Sequence, residues 1–153
     1  MRPQILDNLG LEAAVEWQIR EFQNRTDIRC DRIIELKNVV IGEQLATAIF
    51  RILQEALTNI MRHAKATMVQ VFLKEQNGNI LLKVRDNGKG IMESEYTQPG
   101  SFGLARMQER VRSFGGELTI NGTPGNGTTI TVNISHYITP ETTHIADSGV
   151  LSI

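Results

Sequence analysis

Glu55 and Asn59 lie one turn apart in the helical run 42–63, and three glycine clusters follow them along the chain. The clusters are Asp86-Asn87-Gly88-Lys89-Gly90, Gly100-Ser101-Phe102-Gly103-Leu104 and Gly125-Asn126-Gly127-Thr128-Thr129. Together these pieces supply an acid or base, a metal ligand, an adenine-reading carboxylate and backbone that can wrap phosphates. Each cluster alone marks only a turn, but their combination in this order predicts a nucleoside triphosphate site.

Hydrophobic periodicity predicts the elements that must position these residues. In the helix predicted over 42–64, Glu55, Asn59 and Arg62 share a polar face beside the apolar one. Two further helices are predicted over 11–25 and 104–114, and strands over 28–36, 68–74, 80–85, 117–121 and 128–134. We expect the first strand at a sheet edge, residues 3–11 as a connection into the first helix, and Asn77-Gly78 as a hairpin turn.

The later strands follow one another as hairpins and do not alternate with helices. This order predicts an α+β fold, a two-layer sandwich whose mixed, mostly antiparallel sheet is covered on one face by about three helices. The sequence has no G-x-G-x-x-G turn after its first strand and no G-x-x-x-x-G-K-[ST] motif. A Rossmann fold and a P-loop are therefore excluded.

Length and composition predict one soluble domain, since the chain has 153 residues of which 41% are hydrophobic. A net charge of -1 offers no basic surface to nucleic acid. Cys30 is the one cysteine, which excludes an internal disulfide and suits a cytoplasmic location. No apolar run approaches the roughly 20 residues that span a bilayer, and a membrane anchor elsewhere in a parent protein stays an open alternative.

Four segments resemble the Bergerat ATP-binding fold of the GHKL superfamily, and within it the catalytic domain of sensor histidine kinases that pair with LuxR/NarL-type response regulators. Glu55-Ala56-Leu57-Thr58-Asn59-Ile60-Met61-Arg62-His63-Ala64 resembles the N box, Asp86-Asn87-Gly88-Lys89-Gly90-Ile91 the first glycine box, and residues 100–110 the second glycine box. Arg2-Pro3 and Leu6-Asp7-Asn8-Leu9-Gly10-Leu11 resemble the segment that leads out of the dimerisation helices. The likeness covers residues 2–135.

The resemblance implies roles for the helix residues. Asn59 matches the ligand of Mg²⁺, an ion that accepts one protein oxygen beside phosphates and waters. Glu55 matches a proposed general base; because neutral histidine is already nucleophilic, orienting the histidine is the alternative role. Arg62 and His63 match residues near the phosphates, with Arg62 where the subfamily often has lysine, and a packed border histidine is the alternative for His63.

The first glycine box is implied to read the adenine base. Asp86 would accept a hydrogen bond from the exocyclic amine, which selects adenine over guanine, and a turn-capping aspartate is the alternative. Gly88 and Gly90 would allow unusual backbone angles and close approach to the ligand, and Ile91 would line the adenine slot. Thr128 would hydrogen-bond near adenine, with an ordinary strand threonine as the alternative.

The second glycine box is implied to hold phosphates through backbone N–H groups and the positive end of a helix dipole. Its residues are Gly100, Ser101, Phe102, Gly103 and Leu104, with Ser101 where close relatives often carry histidine. Residues 92–102 are predicted to form a flap that is mobile without nucleotide and partly ordered with it.

The implied organisation is a linker end over 1–10, an ATP-binding catalytic domain over 11–135 and a tail over 136–153. None of His63, His136 and His144 lies in a helix that resembles the phosphoacceptor motif, so we expect ATP and Mg²⁺ to bind without autophosphorylation. The implied partners are the protein's own dimerisation domain, in a homodimer, and a LuxR/NarL-type response regulator. The alternatives are a serine-kinase-type anti-sigma relative and an ATPase that uses ATP for conformational change.

Overall fold

The computed structural model describes residues 4–37, 40–91 and 103–136. The helices are α1 (Gln4–Thr26), α2 (Glu43–Asn59), which continues into a π-helical turn (Ile60–Ala64), and α3 (Leu104–Ser113). The strands are β1 (Arg29–Glu35), β2 (Met68–Gln76), β3 (Asn79–Asp86), β4 (Glu117–Thr123) and β5 (Gly127–Ser135). The predictions of a flap over 92–102 and of a tail after residue 136 fall outside the described residues.

The strands form one five-stranded sheet in the order β1-β2-β3-β5-β4. β1 pairs with β2 in parallel, whereas the β2–β3, β3–β5 and β4–β5 pairs are antiparallel. The predicted mixed, mostly antiparallel sheet with its first strand at an edge is therefore confirmed. Asn77 and Gly78, with φ of 52° and 84°, make the predicted hairpin turn between β2 and β3.

The helices cover one face of the sheet, as expected, and the core lies between the two layers. Alternate residues of the central strands are buried there, namely Val69, Val71 and Leu73 of β2, Ile80, Leu82 and Val84 of β3, and Ile130, Val132 and Ile134 of β5. α2 buries Ile49, Phe50, Ile52 and Leu53 almost completely on the same side. Each such side chain contributes roughly 1.5–3 kcal/mol to folding, so this layer fixes the position of α2.

Two helices differ from the prediction at their ends. α1 begins at Gln4, before the predicted start at Leu11, and a kink at Gly10, with φ 86° and ψ 177°, interrupts it. The earlier turn is helical because Leu6, 3% exposed, packs into the core. The helix from Glu43 ends at Asn59, and a π-helical turn replaces its predicted last turn. In the described ranges, no helix has the length and apolar content needed to cross a membrane.

Candidate nucleotide-binding site

A cavity opens where α2 and its π-helical turn face the ends of β3 and β5 and the start of α3. Its polar lining residues are Asn59, His63, Asp86, Lys89 and Thr128. Its other lining residues are Ala56, Ile60, Ala64, Val84, Gly90, Ile91, Leu104, Ile120 and Ile130. An apolar slot with a few convergent polar groups suits a flat aromatic base that carries hydrogen-bonding edges.

Asp86 is the only charged or polar residue that is buried in the part of the chain that the structure describes, at 5% exposure. It is the last residue of β3, and its Oδ1 accepts a hydrogen bond of 2.7 Å from the Gly88 N–H. Burial raises the pKa of the Asp86 carboxyl, and hydrogen bonds from the backbone of Gly88 and Thr128 oppose the rise. The carboxylate is thus an acceptor held at the wall of an apolar slot.

Thr128 joins the wall of the cavity to the loop that follows β3. Its hydroxyl oxygen accepts a 2.8 Å hydrogen bond from the Ile91 N–H, and its backbone N–H contributes to holding Asp86. Because a hydroxyl that accepts one bond still has its own proton, Thr128 retains a donor for a ring nitrogen or a water. Three of the predicted adenine-site residues, Asp86, Ile91 and Thr128, therefore lie together.

The end of α2 and its π-helical turn bring only some of the predicted site residues to the cavity. Asn59 and His63 both line the cavity, whereas Arg62 is exposed and does not line it. A π turn takes up more residues than an α turn, so side chains after Asn59 point in directions that a straight helix would not give. Of the two residues predicted on one polar face, Asn59 lines the cavity and Arg62 does not.

The first glycine box packs against the π-helical turn. A Cβ placed on Gly88 would lie 2.1 Å from the carbonyl oxygen of Ala64, so no larger residue fits there. The Lys89 N–H donates to the same Ala64 oxygen at 2.8 Å. Within the described residues, the close contact of Gly88 is thus with protein backbone. Gly90 lines the cavity.

Glu55 does not line the cavity, although it precedes Asn59 by one turn. Its Oε1 accepts hydrogen bonds from Arg106 of α3, 2.7 Å from Nη2 and 3.1 Å from Nε. The residue lines a second, polar groove between α1, α2 and α3. The other residues of this groove are Gln18, Arg25, Arg51, Gln54, Thr58, Met107 and Arg110.

Gly103 and Leu104 stand at the junction of the two regions. Gly103 caps α3 in a left-handed conformation with φ 62°, and Leu104 lines the cavity. The predicted site residues Gly100, Ser101 and Phe102 lie outside the described residues.

Part of the cavity and the partner of Glu55 are not among the residues predicted from the sequence. The apolar walls Ile120 and Ile130 have the period-2 pattern of inward-facing strand residues, but that pattern does not separate cavity walls from core. Lys89 lies within the first glycine box and lines the cavity. No pattern in the sequence pairs Arg106 with Glu55, because the two residues are distant in the chain.

Residues 44–138 match the family of histidine kinase-, DNA gyrase B-, and HSP90-like ATPases. The chain belongs to this family, and the resemblance inferred from its glycine boxes is confirmed.

Two curated relatives are histidine kinases by name. The chain is 38% identical over 138 residues to the signal transduction histidine-protein kinase/phosphatase DegS of Brevibacillus brevis, a match that covers 88% of this chain and 34% of the relative. It is 32% identical over 151 residues to the sensor histidine kinase LiaS of Bacillus subtilis, covering 99% of this chain and 41% of the relative. The chain thus spans well under half the length of either relative.

Solved structures share the fold. The blue-light activated histidine kinase of Erythrobacter litoralis superposes with a TM-score of 0.70 at 23% identity, over 82% of this chain and 42% of that chain. The Acinetobacter baumannii histidine kinase AdeS gives 0.66 at 20% identity, over 87% of this chain and 73% of that chain. At these identities the likeness concerns the fold alone.

Proposed function

We propose that this chain is the ATP-binding catalytic domain of a sensor histidine kinase. In this role it holds Mg-ATP and donates the γ-phosphoryl group to a histidine on a separate dimerisation domain. Family membership and the names of the relatives support the class of activity. On its own, the domain binds ATP without phosphorylating itself, because none of His63, His136 and His144 lies in a segment that resembles the phosphoacceptor motif.

The observation that carries the proposal is the buried carboxylate of Asp86 at the wall of the apolar cavity. A carboxylate accepts from the exocyclic amine of adenine, whereas guanine presents a carbonyl oxygen at the corresponding position. Ile91, Ile120 and Ile130 line the cavity around it and offer apolar surface to the base. The site therefore selects adenine by one charged acceptor and encloses it with aliphatic side chains.

The residues at the cavity fit a magnesium ion that arrives with the triphosphate. Within the described ranges, no three His, Cys, Asp or Glu side chains cluster as a metal site. The Asn59 amide oxygen at the cavity is a suitable single protein ligand, because Mg²⁺ takes its remaining oxygens from phosphates and waters. When bound, the ion would neutralise charge on the phosphates. His63 and Lys89 also line the cavity, where they would contact the phosphates.

The partners follow from the same proposal. The acceptor histidine belongs to the dimerisation domain of the parent protein, which acts as a homodimer. The phosphoryl group then passes to a response regulator of the LuxR/NarL type. The domain boundaries proposed for this chain are 1–10 for the linker end, 11–135 for the catalytic domain and 136–153 for the tail.

Calorimetry with ATP and GTP in the presence of Mg²⁺ tests the nucleotide site. We expect binding of ATP, a clear preference over GTP, and weaker binding after Asp86→Asn, which presents an amide N–H to the adenine amine. Asp31→Asn, on the exposed edge strand, is the matched control and is expected to bind as the parent does. Equal affinity for ATP and GTP, or no binding of ATP, contradicts the assignment.

A transfer assay separates the kinase role from nucleotide binding. The chain is mixed with Mg-ATP and the dimerisation domain of its parent, and phosphohistidine is measured. Glu55→Gln is expected to keep ATP binding and slow transfer, while Glu117→Gln, exposed at the start of β4, leaves both unchanged. ATP binding without transfer to any dimerisation domain favours a regulatory nucleotide-binding module instead.

A further inference from the structure

Arg106 makes an unusual contact with Glu55 across two helices. Both donors reach a single carboxylate oxygen, Oε1, from Nη2 at 2.7 Å and from Nε at 3.1 Å. The Glu55 side chain is 26% exposed and that of Arg106 is 66% exposed, so solvent reaches the pair. Two donors on one oxygen fix the direction of the carboxylate more firmly than one flexible contact does.

The contact leaves the second oxygen of Glu55 available. Among the described residues, both hydrogen bonds from Arg106 reach Oε1 and neither reaches Oε2. Glu55 lines the polar groove between α1, α2 and α3, while Asn59, one turn later, lines the nucleotide cavity. Glu55 thus lies in the groove, one helical turn from the nucleotide cavity, and we expect an acceptor to approach the cavity along this groove.

Gly103 packs closely against the Glu55 carboxylate and the Arg106 guanidinium. A Cβ at this residue would lie 2.4 Å from Glu55 Oε1 and 2.8 Å from Arg106 Nη2. Because φ is 62°, the backbone here is also one that side chains rarely adopt. The glycine lets the carboxylate and the guanidinium meet directly above the first turn of α3, so the start of this helix and the pair form one packed unit.

We propose that Arg106 is a positioning residue for phosphoryl transfer, which holds Glu55 Oε1 so that Oε2 faces the acceptor histidine. This inference rests on the proposed function. One imidazole nitrogen forms a bond to the γ-phosphorus as the bond to the β–γ bridging oxygen breaks, and ADP leaves with that electron pair. The N–H of the other imidazole nitrogen donates to Oε2, which takes the proton as the ring loses it.

The transfer assay tests this role in two proteins, the parent chain and the Glu55→Gln variant. Arg106→Gln is expected to lower the transfer rate at saturating ATP about tenfold while the Kd for ATP stays unchanged, and Arg106→Lys restores part of the rate. In Glu55→Gln protein, Arg106→Gln causes no further loss, because its effect passes through the carboxylate. Arg112→Gln, on the same helix and away from Glu55, is the control. Full additivity of the two losses, or an undiminished rate in Arg106→Gln, overturns the proposal.

A spectroscopic readout does not depend on transfer. In ¹⁵N spectra of the chain, the Arg106 Nε–H is expected to give a shifted signal that Glu55→Gln abolishes and that Glu117→Gln, on the exposed side of β4, preserves. If no signal depends on Glu55, the Arg106–Glu55 pair does not form in solution and the proposal is overturned, even where the kinase activity is intact. A wild-type chain that gives the signal but never transfers phosphate contradicts the proposed function and, with it, the role of Arg106.

Discussion

Asn87 and Thr67 are joined by two hydrogen bonds that run in opposite directions. The Thr67 N–H donates to Asn87 Oδ1 at 2.9 Å, and Asn87 Nδ2 donates to Thr67 Oγ1 at 2.9 Å. Asn87 Oδ1 also accepts from the Met68 N–H at 3.0 Å. The bonds tie the residue after Asp86 to the segment between the π-helical turn and β2, so they hold the wall of the cavity against that segment.

Asn87→Ala is expected to destabilise the fold by about 1–2 kcal/mol, because it removes three side-chain hydrogen bonds. These bonds are exposed, so hydrogen bonds to water offset part of the loss. Urea denaturation measures the change in the free energy of unfolding. Asn121→Ala, at an exposed position of β4, is the control and should differ little from the parent. Similar losses in both variants would show that the Asn87 bonds add nothing specific.

Gly88→Ala is expected to destabilise the chain by about 1–3 kcal/mol or more, the usual cost of overpacking. The added Cβ would lie 2.1 Å from the Ala64 carbonyl oxygen, which is backbone and cannot rotate away. Relief requires the first glycine box to move off the π-helical turn, so ATP affinity should fall as well. Thermal unfolding and calorimetry measure the two effects.

Gly42→Ala is the matched control for this change. Gly42 precedes α2 with φ -58°, and a Cβ there would meet no atom within 4 Å. We expect it to be neutral or slightly stabilising, because alanine restricts the unfolded chain more than glycine does. Unfolding curves that shift equally for the two alanine variants would contradict a steric role for Gly88.

The sheet could be predicted because the sequence patterns that specify its turns and strands are local. Asn77-Gly78 specifies a tight turn, and alternation in β2 and β3 specifies which residues enter the core. The glycine boxes located Asp86, Ile91 and Thr128 for the same reason, since each lies beside a turn that ends or begins a strand. These features depend on a few neighbouring residues, which a single sequence contains.

The helix ends and the Glu55 contact could not be predicted because tertiary packing decides them. Nothing in Ile60–Ala64 marks a π turn, which is stabilised by docking of the first glycine box on Ala64. The Arg106–Glu55 pair joins two helices through a long-range contact that no periodicity encodes. Burial of Leu6 likewise extends α1 beyond the predicted connection.

Asp86→Asn is expected to raise the stability of the nucleotide-free chain at neutral pH while weakening ATP binding. Burial raises the pKa of Asp86 above its usual 3.8, so the folded state holds this proton more tightly than the unfolded chain does. The proton on Asp86 therefore contributes fully to the stability of the fold below pH 3.8. This contribution is lost as the pH rises through the folded-state pKa of Asp86. Asparagine keeps an oxygen for the Gly88 N–H without carrying the buried charge.

Thermal unfolding of the parent and Asp86→Asn between pH 7 and acid measures this effect. The variant should melt higher at neutral pH, and the difference should shrink as Asp86 of the parent takes up its proton. Asp31→Asn controls for the loss of one negative charge at the surface. A parent that melts higher than Asp86→Asn at neutral pH would indicate that the ionised carboxylate stabilises the empty site.

Glu75→Gln is expected to lower stability at neutral pH but not in acid. Glu75 Oε2 accepts from the Gly78 N–H at 3.0 Å and lies 3.4 Å from His136 Nε2, and these contacts lower the pKa of the Glu75 carboxyl. A lowered pKa stabilises the fold above the usual value of 4.5, and this contribution is lost as the pH falls through the folded-state pKa. Melting curves of both proteins should therefore separate at pH 7 and converge in acid. Glu117→Gln, exposed at the start of β4, is the control, and a constant gap between parent and Glu75→Gln across this range would exclude a role for the ionised carboxylate.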